Sequence, residues 1–194
     1  MNIFWFRRDL RLEDNCGLYK ALKAGEKVIP IFIFDKDIIK KLPNNDARVS
    51  FIHQELENIN KQLKELGSAI SIYLGTPKDV FNSLSEKYTI DSVFCNHDYE
   101  PYAIKRDLEI KEFLLTKNIS FKTYKDQVIF ERNEIIKKDG TPYKVYTPYS
   151  KKWMENFQLK GIHFFPSEEN LINLIKNNHG PFLTLEEIGF KKSS

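Results

Sequence analysis

The sequence is poor in the residues on which several kinds of chemistry depend. It holds two cysteines, Cys16 and Cys95, and neither belongs to a CxxC pair. Zinc sites and thioredoxin-type redox sites are therefore not indicated, and two buried, reduced thiols are expected instead. His53, His97, His163 and His179 are scattered, with no metal-ligand spacing among them, so no metal is expected. No apolar run approaches the roughly 18 residues of a membrane span. The opening MNIFWFRRDL lacks the apolar h-region and small-residue cleavage site of a signal peptide, so a cytoplasmic location is expected. No GxGxxG follows the first apolar run, and no GxxxxGK followed by Ser or Thr occurs anywhere, so a glycine loop cradling phosphate is not supported. HxGH, SGGxD and the nucleophile elbow GxSxG are missing as well. The net charge of +3 is too small to argue by itself for a nucleic-acid partner.

What remains is a globular pattern. Apolar residues make up 41% and charged residues 29% of a 194-residue chain, which suits one soluble domain with a real core. Buried-strand runs are expected near residues 3–6, 28–34, 69–74, 90–95 and 119–124. Amphipathic helices alternate with them. Asp14 and Asn15 can cap the first, which carries Leu18 and Leu22 and stops at Gly25. Asn44 to Asp46 open a long second helix with Val49, Ile52, Leu56, Ile59, Leu63 and Leu66 at spacings of three and four, and Gly67 ends it. Thr76-Pro77 and Pro101 start two more. Apolar strands alternating with helices define an α/β chain with a Rossmann-like, doubly wound, five-stranded parallel sheet. The pattern breaks near residue 130. Residues 143–153 show no clear period, and one short helix is expected near 169–176. Residues 1–130 are thus read as the α/β domain and 131–194 as an irregular connector.

In an open parallel sheet, ligands bind beyond the carboxyl ends of the strands, where the strand order reverses. Arg7-Arg8-Asp9-Leu10-Arg11, Asp35-Lys36-Asp37 and Asn96-His97-Asp98-Tyr99-Glu100 fall there. Such a rim suits a flat ligand with an apolar ring and a few polar anchors. Its charges can equally pair with each other, Arg8 with Asp9 or Asp98 for instance. No general acid–base pair can be assembled, so no catalytic residue is assigned.

Several ordered motifs carry a resemblance. Trp5-Phe6-Arg7-Arg8-Asp9-Leu10-Arg11-Leu12-Glu13-Asp14-Asn15 resembles the opening signature of the DNA photolyase/cryptochrome family. Arg48 to Ile52 resembles the start of that family's second helix. Asn96 to Tyr102, followed by Lys105-Arg106-Asp107, resembles its loop after strand four. Tyr146-Thr147-Pro148-Tyr149 with Trp153, and Leu185 to Phe190, resemble two pieces that precede a helical FAD-binding domain. The resemblance implies the antenna-type domain of a bacterial deoxyribodipyrimidine photo-lyase, inactive alone. The full-length protein would be a carbon–carbon lyase that splits pyrimidine dimers in damaged DNA with light and reduced FAD. FAD and most of the DNA surface would belong to a C-terminal domain outside these 194 residues. The same domain of a cryptochrome-type blue-light receptor is the alternative.

The resemblance also implies an antenna chromophore. Tyr102-Ala103 stand where folate-binding bacterial members carry Asn-Glu, which favours a deazaflavin or FMN over methenylfolate. Arg8, Phe34, Asp35, Arg48, Ile52, Asp98, Glu100 and Arg106 are the candidate contacts. Arg48 and Arg106 would meet an anionic ring or phosphate, Phe34 and Ile52 a ring face, and Asp98 and Glu100 ring or ribitol donors. Asp9 and Asp14 are expected to lock the first loop, by ion pairing and helix capping.

Overall fold

Side chains on a strand alternate between its two faces, and this chain makes both faces apolar. On β1 (Asn2–Phe6), Ile3 and Trp5 point one way and Phe4 and Phe6 the other. On β2 (Val28–Asp35), Ile29, Ile31 and Ile33 join the first set, and Phe32 and Phe34 the second. A sheet apolar on both faces must be covered on both. α1 (Cys16–Leu22) and α3 (Ala47–Glu65) cover the Phe4 face through Leu18, Leu22, Leu56 and Leu63. α4 (Pro77–Lys87) and α5 (Pro101–Thr116) cover the Trp5 face through Phe81, Leu84, Ile110 and Leu114. The computed structural model describes residues 1–131, 133–178 and 180–193. His179, one of the scattered histidines, lies outside the described residues.

The remaining strands are β3 (Ser71–Gly75), β4 (Ser92–Asn96) and β5 (Ser120–Tyr124), and the all-parallel sheet runs β3-β2-β1-β4-β5. The Rossmann-like, doubly wound architecture is therefore as expected. β3, β4 and β5 begin one or two residues later than the apolar runs suggest. Pro30, inside β2, sits one residue before pairing with β3 begins at Ile31, a place where a missing N–H is tolerated. The helix starts follow local chemistry. Asn15 accepts from the Leu18 N–H, Asp46 from the Arg48 N–H, and Thr76 from the Asp79 N–H ahead of Pro77. Gly67, at φ +71°, lets the chain leave α3 in a left-handed conformation.

Three elements depart from the sequence pattern. Lys36–Ile39 forms a short α2, started by the Asp35 carboxylate accepting from the Asp37 N–H. Residues 143–153 hold the first half of α6 (Tyr146–Lys160). The short helix expected near 169–176 is a 3-10 segment, Glu168–Asn173.

Beyond it the chain returns to the sheet. Leu171, Leu174, Ile188 and Phe190 are buried in the same core as Phe4 and Leu22. The Ile175 N–H donates to the Val28 carbonyl at 2.9 Å, and the Ile72 N–H to the Pro181 carbonyl at 2.6 Å. Weak periodicity here accompanies substantial burial, because isolated apolar residues at turns fill gaps that the helices leave.

Candidate functional site

The strand order reverses between β1 and β4. A cleft of about 700 Å³ opens beside this switch point, at the carboxyl ends of β1 and β2. That volume lies within the roughly 300–1,000 Å³ of small-molecule sites. β1 supplies Trp5 and Phe6, β2 supplies Phe32 to Asp35, α2 supplies Ile38 and Ile39, and the first turns of α3 supply Arg48, Val49, Phe51 and Ile52. Most of the wall is apolar. The polar groups that enter it are Arg7, Arg8, Asp35, Arg48, Asp98 and Arg106.

The loop that follows β1 is held by a buried amide network. The Asp9 carboxylate accepts from the Arg7 N–H at 2.8 Å and from the side-chain amides of Asn15 at 3.2 Å and Asn96 at 2.6 Å. Asn96 also donates to Asn15 Oδ1 at 2.8 Å and accepts from the Gly17 N–H at 2.8 Å. A Cβ on Gly17 would stand 2.6 Å from Asn96 Oδ1, so this position requires glycine. Among the described residues, Asp9 thus locks the loop through neutral donors and not through an ion pair. The helix cap is Asn15, while Asp14, at φ +45°, accepts from the Phe165 N–H at 2.8 Å and ties in the later chain.

Arginines surround the cleft, and each already faces a carboxylate. Arg7 makes a bidentate pair with Asp107, at 2.7 and 2.8 Å. Arg106 donates to the same carboxylate through Nε and Nη2, both at 3.1 Å. Burial, and then the like charge of Arg7, lower the Arg106 pKa, though a guanidinium keeps its charge in proteins. Both cations lie over the Trp5 ring, 4.0 Å (Arg7) and 4.9 Å (Arg106) from its centroid. At the mouth, Arg8 stands 3.6 Å from both Asp98 and Glu100, and the exposed Arg48 grips Asp46 at 2.7 and 2.9 Å. Asp35 is buried and accepts from the Tyr102 hydroxyl at 2.6 Å.

Of the eight candidate contacts, seven line this cleft: Arg8, Phe34, Asp35, Arg48, Ile52, Asp98 and Arg106. Glu100 does not line it and is exposed beside Arg8. His97 does not line it either. Its Nδ1 meets Glu131, its Nε2 lies 2.9 Å from Thr123 Oγ1, and the Tyr99 hydroxyl donates to the same Glu131 at 2.8 Å. The sequence reading missed Trp5 and the α2 wall. A four-residue helix shows no period, and only the paired Ile38 and Ile39 mark it. Among the described residues there is no group of three metal-ligating side chains, and no helix is long and apolar enough to cross a membrane.

A mostly apolar cleft with buried polar groups at a sheet switch point is the layout of a doubly wound α/β domain with room for a small molecule. The family model for DNA photolyase matches residues 2–169, and the chain belongs to that family. A deoxyribodipyrimidine photo-lyase of Synechococcus is 32% identical over 151 residues, covering 78% of this chain and 31% of that protein. A bacterial class III photolyase of Agrobacterium tumefaciens superimposes with a TM-score of 0.72 and 26% identity, covering all of this chain and 36% of that one. An archaeal photolyase of Sulfolobus tokodaii, whose crystal structure with two FAD molecules implies a novel light-harvesting cofactor, gives 0.68 and 27%, covering 93% and 44%. The chain spans about a third of the length of the curated photo-lyase that it matches.

Proposed function

We propose that this chain is the antenna-type domain of a cytoplasmic deoxyribodipyrimidine photo-lyase and that its cleft holds a flat chromophore of the deazaflavin or flavin class. The observation that carries this reading is the cleft itself, with an apolar slot for a ring and buried hydrogen-bonding groups at one end. Phe34 and Ile52 would pack on the ring, Asp35 and Asp98 would accept from its N–H or hydroxyl donors, and Arg106 would donate. Glu100 would act at the mouth, through Arg8. The ring class fits this donor set. A phosphate fits less well, because it would have to compete with Asp46 for Arg48. Ala103 is buried and carries no carboxylate, which disfavours methenylfolate.

The bound chromophore would supply light absorption. The protein's part is to hold and orient the ring, and to keep water off it with Phe51, Ile38 and Ile39. On this reading residues 131–194 form a connector toward a helical domain. There reduced FAD would donate an electron to a pyrimidine dimer in damaged DNA, in the part of the protein that this chain does not span. The 194 residues alone are then a binding domain without repair activity.

The test is an absorbance spectrum of the purified chain after incubation with deazaflavin, FMN or methenylfolate and desalting. Retention of a deazaflavin or flavin band, lost in Ile52→Asp, is expected. No retained band from any of the three would overturn the antenna reading. Light-dependent dimer splitting by the 194 residues alone would overturn the assignment of chemistry to the remainder.

A further inference from the structure

α5 is apolar on two sides. Ile110 and Leu114 are buried against the sheet. On the far side Ile104, Leu108 and Leu115 are 45%, 56% and 71% exposed. Exposed apolar residues scattered singly need no explanation, but these three are aligned. With about 3.6 residues per turn, spacings of four and seven return to the same face of a helix, so the three form one stripe. The exposed Pro101 extends it toward the helix start. Positions 101, 104, 108, 111 and 115 follow the alternation of three and four that makes a coiled-coil seam, and Lys111 is the one polar residue among the five. One flank of the seam holds Lys105 and Glu112, both exposed and of opposite sign. The other flank holds Asp107 and Leu114, and both are engaged within the chain: Asp107 pairs with Arg7, and Leu114 is buried.

We infer that this stripe is a contact between two copies of this chain, their α5 helices packed antiparallel about a two-fold axis beside Leu108. Such an axis, perpendicular to the helices, turns each flank onto the same flank of the other copy. Lys105 of one copy then faces Glu112 of the other, and the same pair forms again across the axis. Leu108 meets its own counterpart, and Leu115 lies beside Ile104 of the other copy. Flanking charges of this kind set partner and orientation in helix pairs. Parallel helices would instead set Lys105 and Glu112 against the flank of Asp107 and Leu114, which is already engaged. The charges thus select a second copy, because each finds its complement on the same flank of the same helix. Within α5 Lys105 has only Glu109, in a loose exposed pair at 3.8 Å. A seam of this length falls below the roughly 1,200 Å² of a standard complex, so the dimer is of the weak, concentration-dependent class. The inference is independent of the chromophore reading, since Ile104, Leu108 and Leu115 do not line the cleft.

The experiment is sedimentation velocity of the 194-residue chain over roughly 10–500 µM, a range suited to weak contacts. The mass is expected to rise toward that of a dimer with concentration, and Leu108→Glu to remain a monomer throughout. Lys105→Glu or Glu112→Lys alone should weaken association about tenfold, because each replaces two attractions by two repulsions. The two together should restore it to within about twofold of the parent. Both sites are exposed, so the thermal midpoints of the charge variants should match the parent, and a lost dimer then reports on the contact and not on folding. A chain that stays monomeric over the whole range overturns the inference, as expected if a different protein segment covers α5. Dimerisation unchanged in Leu108→Glu also overturns it, because another surface would then be responsible. A double charge reversal that fails to restore association overturns it as well, because the two flanks would not face each other.

Discussion

The Tyr102 hydroxyl donates a 2.6 Å hydrogen bond to the buried carboxylate of Asp35, joining the first turn of α5 to the end of β2 across the cleft. Burial raises the Tyr102 pKa, and the hydrogen bond to Asp35 raises it further. Tyr99 is raised in the same way by burial and by Glu131. An unfolded tyrosine loses its proton near pH ~10. The folded state therefore holds more protons above that pH, and stability falls as pH rises. The contribution of both phenols is complete below about pH 10 and is lost above it. Tyr102 is 41% exposed, so solvent screening keeps its share modest. The thermal midpoint is expected to drop between pH 10 and 11.5, less steeply in Tyr102→Phe. Equal slopes for the two proteins would refute this linkage.

Asp107 holds two arginines. Its removal leaves Arg7 and Arg106 facing each other with no carboxylate between them, and both are buried. Asp107→Ala is expected to cost about 3–5 kcal/mol in urea unfolding, the usual range for a buried pair that loses one partner. Adding Arg106→Met should recover part of that loss, because one of the two uncompensated charges goes with it. A double variant no more stable than the single one would show that Asp107 acts by packing alone.

Asn96 connects the end of β4 to the loop after β1. Asn96→Ala strips partners from Asp9, Asn15 and the Gly17 N–H together, all of them buried. Each buried polar group left unpaired costs about 1–3 kcal/mol, and partial compensation leaves an expected loss of about 3 kcal/mol. Gly17→Ala attacks the same point by steric overlap, with its Cβ 2.6 Å from Asn96 Oδ1. The two substitutions should be less than additive in urea unfolding, since both break one contact. Full additivity would place their effects in separate parts of the structure.

The sheet was legible because its central strands are buried on both faces and read as unbroken apolar runs. The position of the cleft was legible because parallel topology sends polar loops to one edge. Other features lie beyond a local reading. α6 buries no residue and starts without a side-chain cap, and its aromatic pair Trp153 and Phe157 is too short a stripe to mark a helix. Arg7 meets Asp107 across one hundred residues, and no spacing announces such a pair. The lock around Asp9 was expected as an ion pair, but its donors are the amides of Asn15 and Asn96, the second 87 residues away. The α2 wall is one helical turn, shorter than any period it could display.

The return of the late chain to the sheet bears on the order of synthesis. Val28 lies in the second strand to be made, yet its carbonyl is bonded by Ile175, and the hydrophobic cluster around Leu22 and Leu63 is completed by Leu174, Ile188 and Phe190. A chain emerging at about 5–20 residues per second makes its first strand many seconds before those residues exist. Until then part of the apolar surface on the Phe4 side of the sheet, beside α1 and α3, stays uncovered. This domain therefore depends on its last thirty residues to close, and a ribosome paused before them would hold a nascent chain prone to aggregation.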